Sequence, residues 1–138
     1  MITILMDEDK QLFLTHYSPL YQGEKNVNQI RFLLPQSIGE LSDQITVLFL
    51  LPNSDLHVAE LNKSEELYKE HFEYLYNIEE ILLKDIGQIK LRLQINKNQE
   101  NEDEESVISQ TLLSSSICLN VYEGMPSIQI LNKEEING

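Results

Sequence analysis

The sequence predicts an all-β domain, an antiparallel β-sandwich of about eight or nine short strands. Residues 87–95 (GQIKLRLQI) alternate apolar and polar side chains without a fault. That alternation is typical of a strand with one buried and one exposed face. Further short runs rich in β-branched and aromatic residues recur along the chain, and turn-forming residues separate them about every eight to twelve residues.

Length and composition predict a single domain over residues 1–138. A chain of 138 residues is long enough to fold around a core without disulfides or metal, and its one cysteine, Cys118, has no basic neighbour in the sequence to activate it. The formal net charge of −13 predicts repulsion from nucleic acid and anionic lipid, and suits a protein partner with a basic face. No apolar run approaches the roughly 20 residues of a membrane span.

Five strands are predicted in the first half of the chain. Ile2–Met6 and residues 11–14 flank an acidic turn, and residues 30–34 end at a proline, which has no N–H to give to a ladder. Residues 44–51 (QITVLFLL) form the most apolar run, which favours a central strand buried on both faces. Residues 56–61 follow a Pro-Asn turn and return as a strand.

Residues 62–76 fit either a helix or a strand. A possible capping box at Asn62 and several apolar residues at helical spacing favour a helix, whereas alternating aromatic residues from Phe72 onward favour a strand. We expect a short helical turn near residues 64–69, a strand at residues 71–78 and a turn at residues 80–85.

The remainder of the chain alternates polar segments with short strands. Residues 96–106 are polar and acidic and predict a solvated loop. Residues 107–113 and 116–122 predict two strands, and residues 124–131 a last short one. Residues 132–138 form a polar tail.

Candidate catalytic and metal-binding residues are few, and none has a recognisable motif. His16, His57 and His71 are scattered and predict ordinary surface histidines. The acidic runs at residues 7–9 and 102–105 lack the spacing and the glycine of a calcium loop. We therefore predict no catalytic residue, metal or cofactor, and a protein that is not an enzyme.

Tyr68, Tyr74 and Tyr76 are candidates for a sugar-binding platform. The sequence contains no tryptophan, the ring best suited to stacking on sugars. Core packing and cross-strand pairing explain these tyrosines better. A carbohydrate-binding module that contacts a cell wall stays open as the alternative function, and a small wall hydrolase is a third.

The order of segments carries a family resemblance. The chain opens with ITILMDEDKQL and continues through IRFLLP, QITVLFLLPNSDLHVAEL, ELYKEHFEYLYNI and LLKDIGQIKLRLQI. This series resembles the N-terminal domain of upper baseplate and tail-fibre-type proteins from tailed phages of Gram-positive bacteria. The resemblance covers most of residues 1–95 and, more loosely, residues 116–122. It implies a β-sandwich that docks onto the tail or baseplate core.

The resemblance implies a virion structural protein, located in the tail and made in the host cytoplasm. Its partners would be other tail or baseplate proteins, with several copies in a symmetric assembly and no role for nucleic acid or membrane. An exposed edge strand offers unpaired N–H and C=O groups for docking. Ile2–Met6 and residues 17–21 are the candidate docking segments, because terminal strands often lie at an edge.

Overall fold

The computed structural model describes residues 1–42, 44–100 and 106–124. These residues are mostly strands, with one short helix and a 3-10 turn at Glu80–Leu83. The elements in chain order are β1 (Ile2–Met6), β2 (Leu12–His16), β3 (Leu20–Tyr21), β4 (Gln29–Leu34), α1 (Gln36–Gly39), β5 (Ile45–Leu50), β6 (Leu56–Glu60), β7 (Asn62–Tyr68), β8 (His71–Asn77), β9 (Gly87–Glu100), β10 (Ser106–Leu113) and β11 (Ile117–Tyr122).

The strands form two sheets packed face to face, which confirms the predicted all-β class. Sheet A has the order β2-β1-β4-β8-β7, and sheet B has the order β3-β11-β9-β5-β6, with β10 also paired to β9. Both sheets are mixed and not antiparallel throughout, because β1 pairs with β4, and β3 with β11, in parallel. Parallel neighbours need a long crossover connection, and intervening strands supply it in both cases.

The core lies between the two sheets. Ile4, Phe32 and Tyr74 point inward from sheet A, and Phe49 and Leu91 point inward from sheet B. The predicted alternation of residues 87–95 is confirmed, since every second side chain from Ile89 to Ile95 is buried. These side chains cover the inner face of sheet A, and burial of apolar area is the main stabilising term of such a core.

Strand β5 is buried on one face only, so the prediction of a strand buried on both faces is wrong. Ile45, Val47 and Phe49 are buried, whereas Leu48 is half-buried and Leu50 is exposed. The reason is that, among the described residues, sheet B is covered by sheet A on its inner side and by no further layer on its outer side.

The predicted helical turn near residues 64–69 is also wrong, because β7 is an edge strand of sheet A. It forms a hairpin with β8, and the two loop residues, Lys69 and Glu70, both have positive φ, of 46° and 68°. Such values characterise the two-residue turn that matches the twist of a hairpin. The side-chain amide of Gln36 donates to the Glu70 carbonyl at 2.9 Å and fixes this turn from outside it. Tertiary contact therefore decides between strand and helix.

Residues 96–106 do not form the predicted loop as a whole. Strand β9 continues to Glu100 and β10 begins at Ser106, with Asn96 opposite Thr111 in the ladder. The backbone groups of this polar segment pair with each other, and pairing needs no apolar face. Residues 101–105 lie outside the described residues, as do residues 125–138 with most of the last predicted strand and the polar tail.

A serine segment, Ser114 to Ser116, joins β10 to β11 along the same side of β9. The register shifts by one residue there, since Leu113 lies opposite Gln94 whereas Ile117 lies opposite Leu91. Ser115 also accepts the Leu12 N–H at 2.8 Å and donates its own N–H to the Lys10 carbonyl at 2.8 Å. The serine segment therefore connects sheet B to the start of β2 in sheet A through these two hydrogen bonds.

Candidate docking surface

The two predicted docking segments occupy different places in the fold. β1 lies between β2 and β4, and four of its five side chains are buried, so the prediction that it forms an edge is wrong. The physical reason is the parallel pairing with β4, which satisfies the second side of β1. β3, within residues 17–21, does lie at an edge, that of sheet B.

Three tyrosines gather at this edge and form what we call the tyrosine patch: Tyr17, Tyr21 and Tyr122. Their exposed fractions are 41%, 40% and 45%. The rings of Tyr21 and Tyr122 have centroids 6.2 Å apart and are tilted by 49°. Partial burial and then a side-chain hydrogen bond with Tyr122 raise the pKa of Tyr17 to about 12. The three side chains thus form one connected, neutral surface.

The backbone beneath the tyrosine patch is held by pairing and by burial. Leu20 and Val121 lie opposite each other in the parallel pair of β3 and β11, and both are buried. The N–H of Gln22 donates to the Tyr122 carbonyl at 2.9 Å, which extends the ladder by one bond. A Cβ atom on Gly124 would clash with the Gln22 carbonyl oxygen. The close approach of the two backbones at this end therefore depends on a glycine.

Acidic side chains flank the tyrosine patch. Glu24 accepts the N–H of Tyr21 at 2.7 Å, and Glu123 directly follows Tyr122 and is exposed. Lys25 lies 3.6 Å from Glu80, an exposed pair that neutralises one further carboxylate. The surroundings of the patch are therefore negative, which suits a partner that presents cations beside an apolar face.

The tyrosines considered for a sugar platform lie elsewhere. Tyr74 and Tyr76 are buried in the core, as the core-packing interpretation predicted. Tyr68 lies on the outer face of sheet A. The guanidinium carbon of Arg31 lies over its ring, 4.1 Å from the ring centroid. Arg31 also approaches Glu73 at 3.7 Å and donates to Thr3 at 3.2 Å. These three tyrosines therefore share no common surface.

The other candidate groups are dispersed. His57 lies 3.1 Å from Glu79, whereas His16 and His71 border a groove on the outer face of sheet A. The Asp7 carboxylate accepts two backbone N–H groups of its own turn. Cys118 is an exposed free thiol on the outer face of sheet B.

Within residues 1–42, 44–100 and 106–124, three or more carboxylate, imidazole or thiol groups nowhere converge as metal ligands would. The same residues include no helix long and apolar enough to cross a bilayer.

Tyr122 was not predicted from the sequence as a member of the patch. The alternation of β11 carried a signal, because buried Leu119 and Val121 place Asn120 and Tyr122 on the opposite, exposed face. The pairing of β11 with β3 could not be found this way, since residues about a hundred positions apart in sequence are brought together by parallel pairing alone.

This chain shows only limited similarity to known proteins. No family model matches the chain, and no curated protein matches it. Among solved structures, it is similar to the N-terminal domain of phage TP901-1 ORF48, with 12% sequence identity and a TM-score of 0.43. The match covers 88% of this chain and 95% of that one. At this TM-score the likeness determines neither the fold nor the function of this chain.

Proposed function

We propose that this protein is a structural component of a phage virion that docks onto other tail or baseplate proteins through the tyrosine patch, without turnover. The observation that carries the proposal is the connected group of Tyr17, Tyr21 and Tyr122, exposed on an edge of the sandwich. Tyrosine is enriched at protein interfaces and among the residues that contribute most to binding. The segment order that resembles upper baseplate and tail-fibre-type proteins supports the choice of partner.

The patch is organised before any partner binds. The rings of Tyr21 and Tyr122 contact each other, and the Tyr17 hydroxyl lies close enough to Tyr122 to interact with it, so the neighbouring rings limit one another's freedom. Ordering side chains at an interface costs roughly 0.5–1.5 kcal/mol for each mobile group, so prior restriction favours binding. Glu24 and Glu123 beside the rings would attract a basic partner. Several copies in a symmetric tail would then reinforce a weak single contact.

Carbohydrate binding is the second candidate for the same surface. Exposed aromatic rings can pack against the apolar face of a sugar, and the tyrosine patch presents three of them. The rings of Tyr21 and Tyr122 are tilted by 49° to each other, so they do not form one flat platform for a sugar ring.

Incorporation into particles tests the docking role. The chain is produced together with the proteins encoded beside it, and assembled tails are isolated and imaged by electron microscopy. We expect Tyr21→Ala combined with Tyr122→Ala to abolish incorporation while the isolated protein stays folded. Phe13→Ala is the matched control, because Phe13 is an exposed aromatic residue on the edge strand β2 of the other sheet.

Two results would contradict the proposal. One is a parent protein that stays monomeric and joins no tail assembly. The other is specific binding or cleavage of cell-wall saccharides that is lost in the double tyrosine variant, which would establish the carbohydrate role instead.

A further inference from the structure

The outer face of sheet B exposes aliphatic side chains on two neighbouring strands. Leu50 is 40% exposed, Leu56 74% and Val58 56%. Leu50 lies directly opposite Leu56, and the half-buried Leu48 lies opposite Val58. Side chains opposite each other on one face are about 5 Å apart. The four residues therefore form one contiguous apolar surface at the β6 edge of the sheet.

Two cations border this apolar surface on the neighbouring strand β9. Lys90 lies opposite Leu50 and Arg92 lies opposite Leu48 in the ladder, so each aliphatic pair has a cation beside it. The Nε and one terminal nitrogen of Arg92 donate to the Ser114 carbonyl at 3.2 and 3.0 Å, which orients its guanidinium. Among the described residues, neither cation has a carboxylate within salt-bridge distance.

For this composition, it is unusual that two neighbouring cations have no carboxylate partner among the described residues. The sequence has 23 acidic and 10 basic residues, so carboxylates are plentiful. On sheet A, by contrast, Arg31 has Glu73 at 3.7 Å. We call the surface formed by Leu48, Leu50, Leu56, Val58, Lys90 and Arg92 the aliphatic–cationic patch. It borders a groove of about 410 Å³.

We infer that the aliphatic–cationic patch is a second docking surface, for a partner segment that presents aliphatic side chains with a carboxylate beside them. Aliphatic groups of the partner would cover Leu56 and Val58. Its carboxylate would meet Lys90 and Arg92, because a cation that is covered at an interface needs a counter-charge. This goes beyond the proposed function, which uses a different surface and a basic partner.

A second copy of the chain fits this patch poorly. A twofold contact would bring the Lys90 and Arg92 of both copies close together, and like charges on one small interface repel each other. Two molecules of net charge −13 would also repel each other at long range. Charge complementarity therefore favours a different partner.

The aliphatic–cationic patch and the tyrosine patch can be altered separately. β3 and β6 are the two outer strands of sheet B, and four strand spacings separate them. At about 4.8 Å a spacing the two strands are about 19 Å apart. The nearest members of the two patches, Tyr122 on β11 and Lys90 on β9, lie on neighbouring strands. Lys90 lies opposite Cys118, so the two side chains are offset by four residues, or about 13 Å, along the strand. Substitutions in one patch therefore leave the other in place, and the two proposals can fail independently.

Selection from a library of short random peptides tests the inference. The full chain is immobilised through a terminal tag, and mRNA-displayed peptides that bind it are sequenced and measured. We expect the selected peptides to combine aliphatic residues with Asp or Glu. Leu56→Asp should weaken their binding by about tenfold or more. Lys90→Glu should weaken it by about three- to tenfold and shift selection toward basic peptides.

Two controls locate the binding. Leu67→Asp introduces the same charge at an exposed leucine on β7 of sheet A and should leave the affinity unchanged. Cys118, the one cysteine of the sequence, is exposed and lies opposite Lys90. A bound peptide should therefore slow its alkylation by N-ethylmaleimide. Tyr21→Ala and Tyr122→Ala should change neither readout.

The inference is overturned if the selected peptides lack carboxylates, or if they bind Leu56→Asp as tightly as the parent. It is also overturned if the selection enriches no peptide that depends on this face. Self-association of the parent chain that Leu56→Asp abolishes would show that a second copy occupies the patch instead.

Discussion

Tyr76 shows how one buried hydroxyl connects the two sheets. It lies on β8 of sheet A, and its ring centroid is 5.2 Å from that of Phe49 on β5 of sheet B. Its hydroxyl donates to a carboxylate oxygen of Glu79 at 3.1 Å, and His57 approaches the same oxygen at 3.1 Å. Burial, and then the charge of Glu79, raise the pKa of Tyr76 far above the usual value of 10.0.

The raised pKa predicts a loss of stability at alkaline pH. Below pH 10.0 the Tyr76 hydroxyl is protonated in both the folded and the unfolded chain. Above that pH the unfolded chain releases this proton while the folded chain keeps it, so the free energy of unfolding falls as pH rises. Tyr76→Phe should reduce the slope of this fall, as measured by urea denaturation at a series of pH values above 9.

Part of the alkaline loss should remain in Tyr76→Phe. Tyr17, with its pKa raised to about 12, contributes stability that is lost between about pH 10 and pH 12. A Tyr76→Phe variant with the parent's full slope would mean that Tyr76 ionises as readily in the folded chain as in the unfolded one.

At the scale of elements, the serine segment between β10 and β11 replaces one backbone hydrogen bond of the ladder with a hydrogen bond to a side chain. The buried Ser114 hydroxyl accepts the Leu93 N–H at 2.8 Å and donates to the Ser115 carbonyl at 2.7 Å. The Ser114 N–H donates to the Leu93 carbonyl at 3.0 Å. The serine segment thus supplies hydrogen-bond partners for both backbone groups of Leu93 in β9, at the point where the register shifts.

Ser114→Ala should destabilise the protein by about 1–3 kcal/mol, because it leaves the buried Leu93 N–H without its acceptor. Ser116→Ala is the matched control at an exposed position of the same segment and should change stability by less than about 0.5 kcal/mol. Both values come from urea denaturation at neutral pH. Equal stability of the two variants would mean that another acceptor, such as a water molecule, replaces the Ser114 hydroxyl.

At the scale of the whole molecule, the two outer faces differ in character. The centre of the sheet A face is a polar network in which Arg31 contacts Tyr68, Glu73 and Thr3, and Ser64 donates to Glu73 at 2.7 Å. Sheet B carries Tyr21 and Tyr122 at one edge and the aliphatic–cationic patch toward the other. Both proposed docking surfaces therefore include this one sheet.

The net charge of −13 predicts a response of stability to salt. Repulsion among surface carboxylates opposes the compact state, and ions screen it over about 8 Å at physiological ionic strength. Raising NaCl from about 10 mM to about 150 mM at pH 7 should raise the melting temperature by roughly 2–5 °C. A lower melting temperature on adding salt would show that attractive ion pairs dominate the surface electrostatics.

The sequence by itself determined the all-β class, the strands Ile2–Met6 and 87–95, and which side chains of β9 face the core. These features depend on period 2, which is local: each side chain's face follows from its neighbours in the chain. The same pattern allowed Tyr74 and Tyr76 to be placed in the core.

Only the tertiary structure decided what depends on distant pairing. The parallel partner of β1, the strand state of residues 62–68 and the grouping of Tyr122 with Tyr17 and Tyr21 all require contacts between residues far apart in sequence. The turn at Lys69 and Glu70 has no turn-forming residue, and Gln36 helps to hold it from another element. Local propensity cannot predict such contacts, because they contribute free energy only once the sheets have formed.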